Sequence, residues 1–559
     1  MKAPYLLWLA LSWVAYAVPA PRAAAPTVTI ASPAATVIGK AGNVEVFNNI
    51  PFAQAPTGSL RLKPPQPIQT SLGTVQATGS SKSCPQFYFS TSDFPASVLG
   101  ILADNPLVQV ATNAGEDCLN IDIRRPAGTT ADSKLPVLVW IFGGGFELGS
   151  KSMYDGTSLV SSSVDLNLPV IFVAMNYRVG GFGFLPGKEI KEDGSANLGL
   201  LDQRLALEWV ADNIAAFGGD PDKVTIWGES AGAISVFDQM VLYDGDNTYK
   251  GKPLFRGGIM DSGSVVPADP VDGVKGQAIY DTVVSTAKCG SSNDTLACLR
   301  DLSYDDFLNA VNSVPGLLSY SSIALSYLPR PDGKVLTASP DVLGKAGKFA
   351  QVPFIVGDQE DEGTLFALFQ GNITTTDELV KYLADYFFYD ASQEELQELV
   401  NLYPDTTTYG SPFRTGTGNN LYPQFKRLAA ILGDLTFTIT RRAFLAYAAE
   451  VAPNLPTWSY LSSYDYGTPI LGTFHGSDLI QVFYGIWPNY AAKSSHTYYF
   501  SFVHDLDPNA HRGVYPEWPQ WKENRQLLNF EANAVGLMGD TFRNGTYDFI
   551  LDHVDTFHI

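Results

Sequence analysis

Residues Val224-Thr-Ile-Trp-Gly-Glu-Ser-Ala-Gly-Ala233 decide how this chain is read. A short apolar run meets Gly228-Glu229-Ser230-Ala231-Gly232, and a helix-compatible segment continues to Met240. Gly-x-Ser-x-Gly between a strand and a helix is the pattern of a nucleophile elbow, a strained turn that lifts the serine hydroxyl out of a sheet edge. Gly228 and Gly232 carry no Cβ, so strand and helix can approach closely around the turn. The reading predicts a buried strand over 223–227, a helix over 231–241, and Ser230 as a nucleophile.

Outward from the elbow, 135–142 (Leu-Pro-Val-Leu-Val-Trp-Ile-Phe) and 168–175 (Leu-Pro-Val-Ile-Phe-Val-Ala-Met) are continuous apolar runs rich in β-branched residues. Such runs are expected of strands covered on both faces, and 257–260 and 352–357 look alike. Between the second and third of these five strands, Leu201, Leu205, Trp209 and Ile214 fall roughly at helical spacing within 200–217. Strand and helix in alternation predict an α/β fold with a mostly parallel sheet, and function at the carboxyl ends of its strands. The strand ending at Phe142 runs into Gly143-Gly144-Gly145-Phe146. Three glycines let the backbone turn N–H groups toward a developing oxyanion, so Gly144 and Gly145 are the expected donors, with Ala231 N–H as the third.

All six histidines follow residue 470, which agrees with the order nucleophile, acid, base that an elbow of this kind requires. His475 lies in Leu471-Gly-Thr-Phe-His-Gly-Ser-Asp478, where flanking glycines suit a loop that presents an imidazole, and it is the candidate base. His496, His504, His511, His553 and His558 have no such setting. The expected strand 352–357 delivers the acidic run Asp358-Gln-Glu-Asp-Glu-Gly363. One carboxylate here is expected to orient the imidazole. Spacing does not choose among Asp358, Glu360, Asp361 and Glu362, and at least three of them must be solvated or structural.

Met1-Lys2 before an apolar run from Tyr5 to Val18, with small residues at Ala15 and Ala17, has the layout of a secretory signal peptide over 1–17. A Pro/Ala-rich stretch over 18–24 suits a short propeptide, and no stretch is long and apolar enough for a membrane anchor. The rest is read as one large domain over 25–559, since no linker or repeat divides it. With 57 Asp and Glu against 36 Lys and Arg, the chain is repelled by nucleic acid and anionic membranes. Four cysteines in an exported chain imply two disulfides, and the local pairing is one of three connectivities. The absence of Cys-x-x-Cys and of paired histidines at ligand spacing argues against a metal site, and no cofactor is expected. Asn293, Asn372 and Asn544 open N-glycosylation sequons.

Taken together, these motifs resemble the fungal lipases and sterol esterases related to the Candida rugosa and Geotrichum lipases, within the type-B carboxylesterase/lipase group. The likeness spans nearly all of the chain. It is carried by Phe47-Asn-Asn-Ile-Pro-Phe-Ala53, Pro56-Thr-Gly-Ser-Leu-Arg61, Glu116-Asp-Cys-Leu-Asn120, the triple glycine, Phe217-Gly-Gly-Asp-Pro221, the elbow, Glu360-Asp-Glu-Gly-Thr364 and Gly472-Thr-Phe-His475. The resemblance implies an α/β-hydrolase fold, Glu362 as the acid, His475 as the base, and pairs Cys84 with Cys118 and Cys289 with Cys298. Asn49 and Ala55 depart from the Gly and Pro usual there, a difference confined to local turns away from the chemistry.

The loop over 84–118 is unusually apolar, with Phe87, Phe94, Val98, Leu99, Leu102, Leu107, Val108 and Val110 among its residues. In the resembling lipases it carries a helical lid, and 97–103 is expected to form its helix between Pro95 and Pro106. The run Leu365-Phe-Ala-Leu-Phe369 follows the acid, and in the resembling lipases this region helps to wall an acyl tunnel. Phe366 is therefore expected to contact substrate. The combined expectation is a secreted serine ester hydrolase acting on long-chain acylglycerols or steryl esters at a lipid surface, with an apolar lid surface that offers a route to pairing two molecules. A carboxylesterase for short soluble esters is the alternative. A non-catalytic adhesion module of cholinesterase type is disfavoured by the presence of Ser230, Glu362 and His475.

Overall fold

A computed structural model describes residues 24–89, 94–102, 109, 111–483 and 489–559. The expected signal segment, the propeptide up to residue 23, and Ala103, Pro106, Leu107, Val108 and Val110 of the lid loop lie outside the described residues.

Ten strands form one sheet: β1 Val44–Pro51, β2 Asn120–Pro126, β3 Leu135–Ile141, β4 Ile171–Met175, β5 Gly219–Glu229, β6 Gly257–Asp261, β7 Phe354–Gln359, β8 Thr457–Ser462, β9 Gln526–Phe530 and β10 Val535–Gly539. Their spatial order is β10-β9-β8-β7-β6-β5-β3-β4-β2-β1. From β4 across to β9 all pairings are parallel, and antiparallel strands close both ends. This is the α/β-hydrolase architecture. Strands β4, β6, β7 and β8 are buried at every position, because helices cover both faces. The run 168–175 enters the sheet only at Ile171, after Pro169, which has no N–H to give a ladder.

Three helices matter for the site: α1 Ala96–Leu102, α2 Leu198–Asn213 and α3 Ala231–Gly245. The end of the expected helix 200–217 is a separate 3₁₀ turn, Ile214–Phe217. Helix α3 has non-helical backbone at Leu242, Tyr243 and Asp244, so its regular part ends at Val241. Asn49, the departure from glycine, takes φ +56°, a left-handed conformation that Asn tolerates better than most side chains.

Register aligns the strand ends beneath the site. Gly228 sits beside Ile141 on one side and Met260 on the other, and Asp261 beside Gly357. Asp261 ties this edge together: it accepts hydrogen bonds from Trp227 Nε1 at 2.7 Å, Tyr460 OH at 2.8 Å and Tyr499 OH at 2.7 Å. Burial pushes its pKa up to about 6, and the three donors work against that rise.

Behind β7, buried Arg441 donates to Asp358 at 2.7 Å and to both oxygens of Asp540 at 2.9 Å. Removing one partner of such a network leaves uncompensated buried charge. Arg441→Met is therefore expected to destabilise the fold by about 3–5 kcal/mol, read as a large fall in apparent Tm. An unchanged Tm would contradict this role.

Cys84 is bonded to Cys118 and Cys289 to Cys298, with Cα atoms 5.0 and 5.8 Å apart. Asn293, Asn372 and Asn544 are all exposed. No helix of the described residues is long and apolar enough to cross a membrane.

Candidate active site

Ser230 sits between the end of β5 and the first residue of α3, with φ +58° and ψ −127°. A non-glycine residue in this region is strained by about 1–3 kcal/mol, and surrounding contacts must hold it. They do so through close backbone packing. A Cβ on Gly228 would stand 2.3 Å from the Gly232 carbonyl carbon, and one on Gly232 would stand 2.1 Å from Ile141 O. Neither position admits a side chain, which gives the two glycines of the motif their physical reason.

Two loops converge on the serine. His475 Nε2 lies 2.8 Å from Ser230 Oγ, and His475 Nδ1 lies 2.6 Å from Glu362 Oε2. The other oxygen of Glu362 accepts the Gln359 N–H at 2.7 Å, which fixes the carboxylate plane. All three side chains are buried. With Nδ1–H donated to Glu362, Nε2 is left as an acceptor for the serine hydroxyl, the arrangement a proton-abstracting base needs.

The remaining acids of the 358–362 run serve elsewhere. Asp358 pairs with Arg441, and Glu360 pairs with Arg414 near the surface. Asp361 accepts from Ser411 Oγ at 2.8 Å, Phe413 N–H at 2.7 Å and Thr473 N–H at 3.0 Å. It thereby ties down the loop that carries His475. Among the other histidines, His496 and His504 bond to backbone carbonyls of Val482 and Pro169, His553 to that of Phe549, and His511 to Asp505. His558 lies 3.7 Å from Asp341.

The glycine turn after β3 passes against the serine, since a Cβ on Gly143 would lie 2.8 Å from Ser230 Cβ. Gly144 and Gly145 have φ +112° and +61°, and Glu147 and Leu148 N–H both donate back to Gly144 O at 3.1 Å. Gly145 and Ala231 line the same pocket as Ser230, whereas Gly144 does not. Ala231 opens α3, where a backbone N–H has no intrahelical acceptor.

Two neighbours of the base were not legible in the sequence. Glu229 is fully buried, with Oε1 3.5 Å from His475 Nε2 and no hydrogen bond to either oxygen among the described residues. Burial raises its pKa well above the usual carboxyl range, and the nearby Asp478, Glu362 and Asp261 add to the rise. The neutral form, which burial favours, competes less with Glu362 for a charged imidazole. Phe437, from a π-helical turn Asp434–Thr438, packs its ring against that of His475, 4.5 Å between centres and tilted by 39°.

From Ser230 opens a pocket walled mainly by apolar residues that include Val266, Leu317, Leu325, Phe366 and Phe437. Val266, Thr436 and Ile559 also line a second apolar cavity. Phe366 is buried, and its ring lies 4.9 Å from that of His475, so it touches both base and pocket. The α1 helix turns Val98 and Leu102 inward, and Phe94 just before it packs on Phe369 at 5.2 Å. Among the described residues there is no cluster of three His, Cys, Asp or Glu that could hold a metal ion.

The chain is 65% identical to secreted lipase 1 of Botryotinia fuckeliana over 543 residues, covering 96% of this chain and 95% of that one. It is 61% identical to a secreted triacylglycerol lipase of Gibberella zeae (96% and 92% covered), and 47% identical to lipase 2 of Diutina rugosa (96% and 98% covered). The crystal structure of Aspergillus niger EstA superposes with a TM-score of 0.81 at 27% identity, covering 96% of this chain and all of that one. A profile of the Carboxylesterase family matches residues 26–550, and the chain belongs to that family.

Proposed function

We propose that this chain is a secreted serine lipase that hydrolyses long-chain acylglycerols and steryl esters through Ser230, His475 and Glu362. The observation that carries the reading is the apolar pocket that opens at the serine hydroxyl, on the Ser230–His475–Glu362 hydrogen-bond chain. Its similarity to a secreted lipase of Botryotinia fuckeliana and a secreted triacylglycerol lipase of Gibberella zeae supports it. So does the signal-like N-terminus.

Ser230 Oγ attacks the ester carbonyl while His475 Nε2 takes its proton, and Glu362 stabilises the imidazolium that forms. The tetrahedral oxyanion receives hydrogen bonds from the N–H groups of Ala231, Gly145 and Gly144. Collapse expels the alcohol, which His475 protonates, and leaves an acyl-enzyme whose chain lies in the pocket. Water activated by the same imidazole then releases the fatty acid and regenerates Ser230. The scheme uses no metal or cofactor. The loop over 84–118, bridged at its base by Cys84–Cys118, acts as a lid: lifting α1 bares apolar residues suited to an oil surface.

The test is a profile of kcat/KM against acyl length, with p-nitrophenyl acetate, triolein and cholesteryl oleate as anchor substrates. Each buried CH₂ is worth about 0.8 kcal/mol, so the profile should rise with length until the pocket is full. A profile that peaks at acetate would replace this reading with a carboxylesterase for short soluble esters. Phe366 packs on His475, so changing it disturbs base and pocket together. Val266→Phe narrows the junction of the two cavities instead, away from the triad contacts. It should lower stearate relative to butyrate ester hydrolysis at least about tenfold if chains pass that point. An equal effect on both would mark Val266 as a packing residue.

A further inference from the structure

The helix that leaves the elbow carries a carboxyl group on its pocket-facing stripe. Ala231, Ile234 and Asp238 are three and four positions apart, so they stand on one face of α3, and all three belong to the wall of the pocket that holds Ser230. Asp238 is fully buried, and neither of its carboxyl oxygens has a hydrogen-bond partner among the described residues. Burial holds its pKa well above the usual carboxylate range, which favours the neutral form. A neutral carboxyl offers one O–H donor and free acceptor lone pairs. Leaving such a group unpaired in an apolar wall is unfavourable, and the pocket is where a partner can arrive.

We propose that Asp238 is a specificity-determining residue that hydrogen-bonds a hydroxyl group on the acyl chain of the substrate, favouring esters of mid-chain hydroxylated fatty acids. The inference rests on the reading of this pocket as the acyl site. Asp238 stands eight positions after Ser230, about 12 Å along α3 at 1.5 Å per residue. An extended chain advances about 1.2 Å per bond, as the span of extended backbone implies. The carboxyl therefore meets the acyl chain near its tenth carbon. A hydroxyl beside the ester carbonyl lies out of its reach.

The experiment measures kcat/KM for p-nitrophenyl stearate, 2-hydroxystearate and 10-hydroxystearate with wild type, Asp238→Leu and Asp238→Asn. The ratio of 10-hydroxystearate to stearate should fall about 5- to 10-fold in Asp238→Leu, the worth of one net hydrogen bond. Asp238→Asn should keep most of the ratio, because an amide both donates and accepts. The ratio for 2-hydroxystearate should be the same in all three proteins. Should Asp238→Leu fail to fold, Asp238→Ala, which adds no atoms to the core, gives the same comparison. A 10-hydroxystearate ratio equal in wild type and the apolar variants would overturn the proposal, leaving Asp238 to bond only a buried water. So would a 2-hydroxystearate ratio that falls in parallel. In either case stearate hydrolysis by wild type leaves the lipase reading standing, whereas wild type that spares stearate altogether removes both.

Discussion

Ser230→Ala lowers kcat by about six orders of magnitude, as removal of a triad nucleophile does when the three groups act as a unit. The apparent Tm stays nearly unchanged. The substitution deletes one oxygen, whose partner in the structure is His475 Nε2. The strained backbone at Ser230 is held by the packing of Gly228 and Gly232, which alanine leaves intact. His475→Ala should be comparably damaged, and the double variant no worse than either single one. A residual rate about 10³–10⁴ above that of water should persist in all of them, because backbone N–H donors and substrate binding survive. Labelling with an organophosphonate ester, mapped by mass spectrometry, checks the assignment directly. Loss of the label in Ser230→Ala is the expected result, and a label retained on another serine would remove Ser230 from its role.

The elbow was legible because everything it needs is local: a strand, two glycines, a serine and a helix within about twenty residues. Strands β3 to β7 were legible because burial on both faces turns each into an apolar run. The edge strands were not. β1 buries only every third position and β10 is largely uncovered, so neither leaves a continuous run. Within the site, the limit was register. Glu360, Asp361 and Glu362 are consecutive and chemically alike, and which one faces His475 depends on how the chain turns after β7. Glu229 was quoted in the motif, yet its meaning comes from Asp261, Asp478 and His475, which arrive from other strand ends. Phe437 reaches the imidazole from a π turn between the helices Phe425–Gly433 and Ile439–Val451, for which the sequence offers no periodicity. Asp238 reads in sequence as one polar residue on a helix, and only the pocket shows which way it faces.

Glu362→Gln should cost about four orders of magnitude in kcat, as the acid-to-amide change in a comparable triad does. Glu362 accepts from both Gln359 N–H and His475 Nδ1–H, and an amide has one accepting oxygen, so its NH₂ turned to Nδ1 holds the imidazole in place in the wrong tautomer while the stabilisation of the imidazolium is lost. Its two neighbours are expected to behave differently for reasons visible in their contacts. Glu360 pairs with a half-exposed Arg414, a bridge worth about 0–1 kcal/mol, so Glu360→Gln should leave both kcat and Tm nearly unchanged. Asp361 accepts three hydrogen bonds that fasten residues 411–413 and Thr473 to the end of β7, and an amide has only one accepting atom. Asp361→Asn should therefore lower Tm, with a smaller fall in kcat that follows the loosening of the loop holding His475. Measuring kcat and Tm for the three variants separates charge from scaffold. If Asp361→Asn loses about 10⁴ in kcat at unchanged Tm while Glu362→Gln stays active, the acid of the triad is Asp361. If all three lose Tm together, the run is a structural unit, and its contribution to catalysis cannot be assigned to one carboxylate.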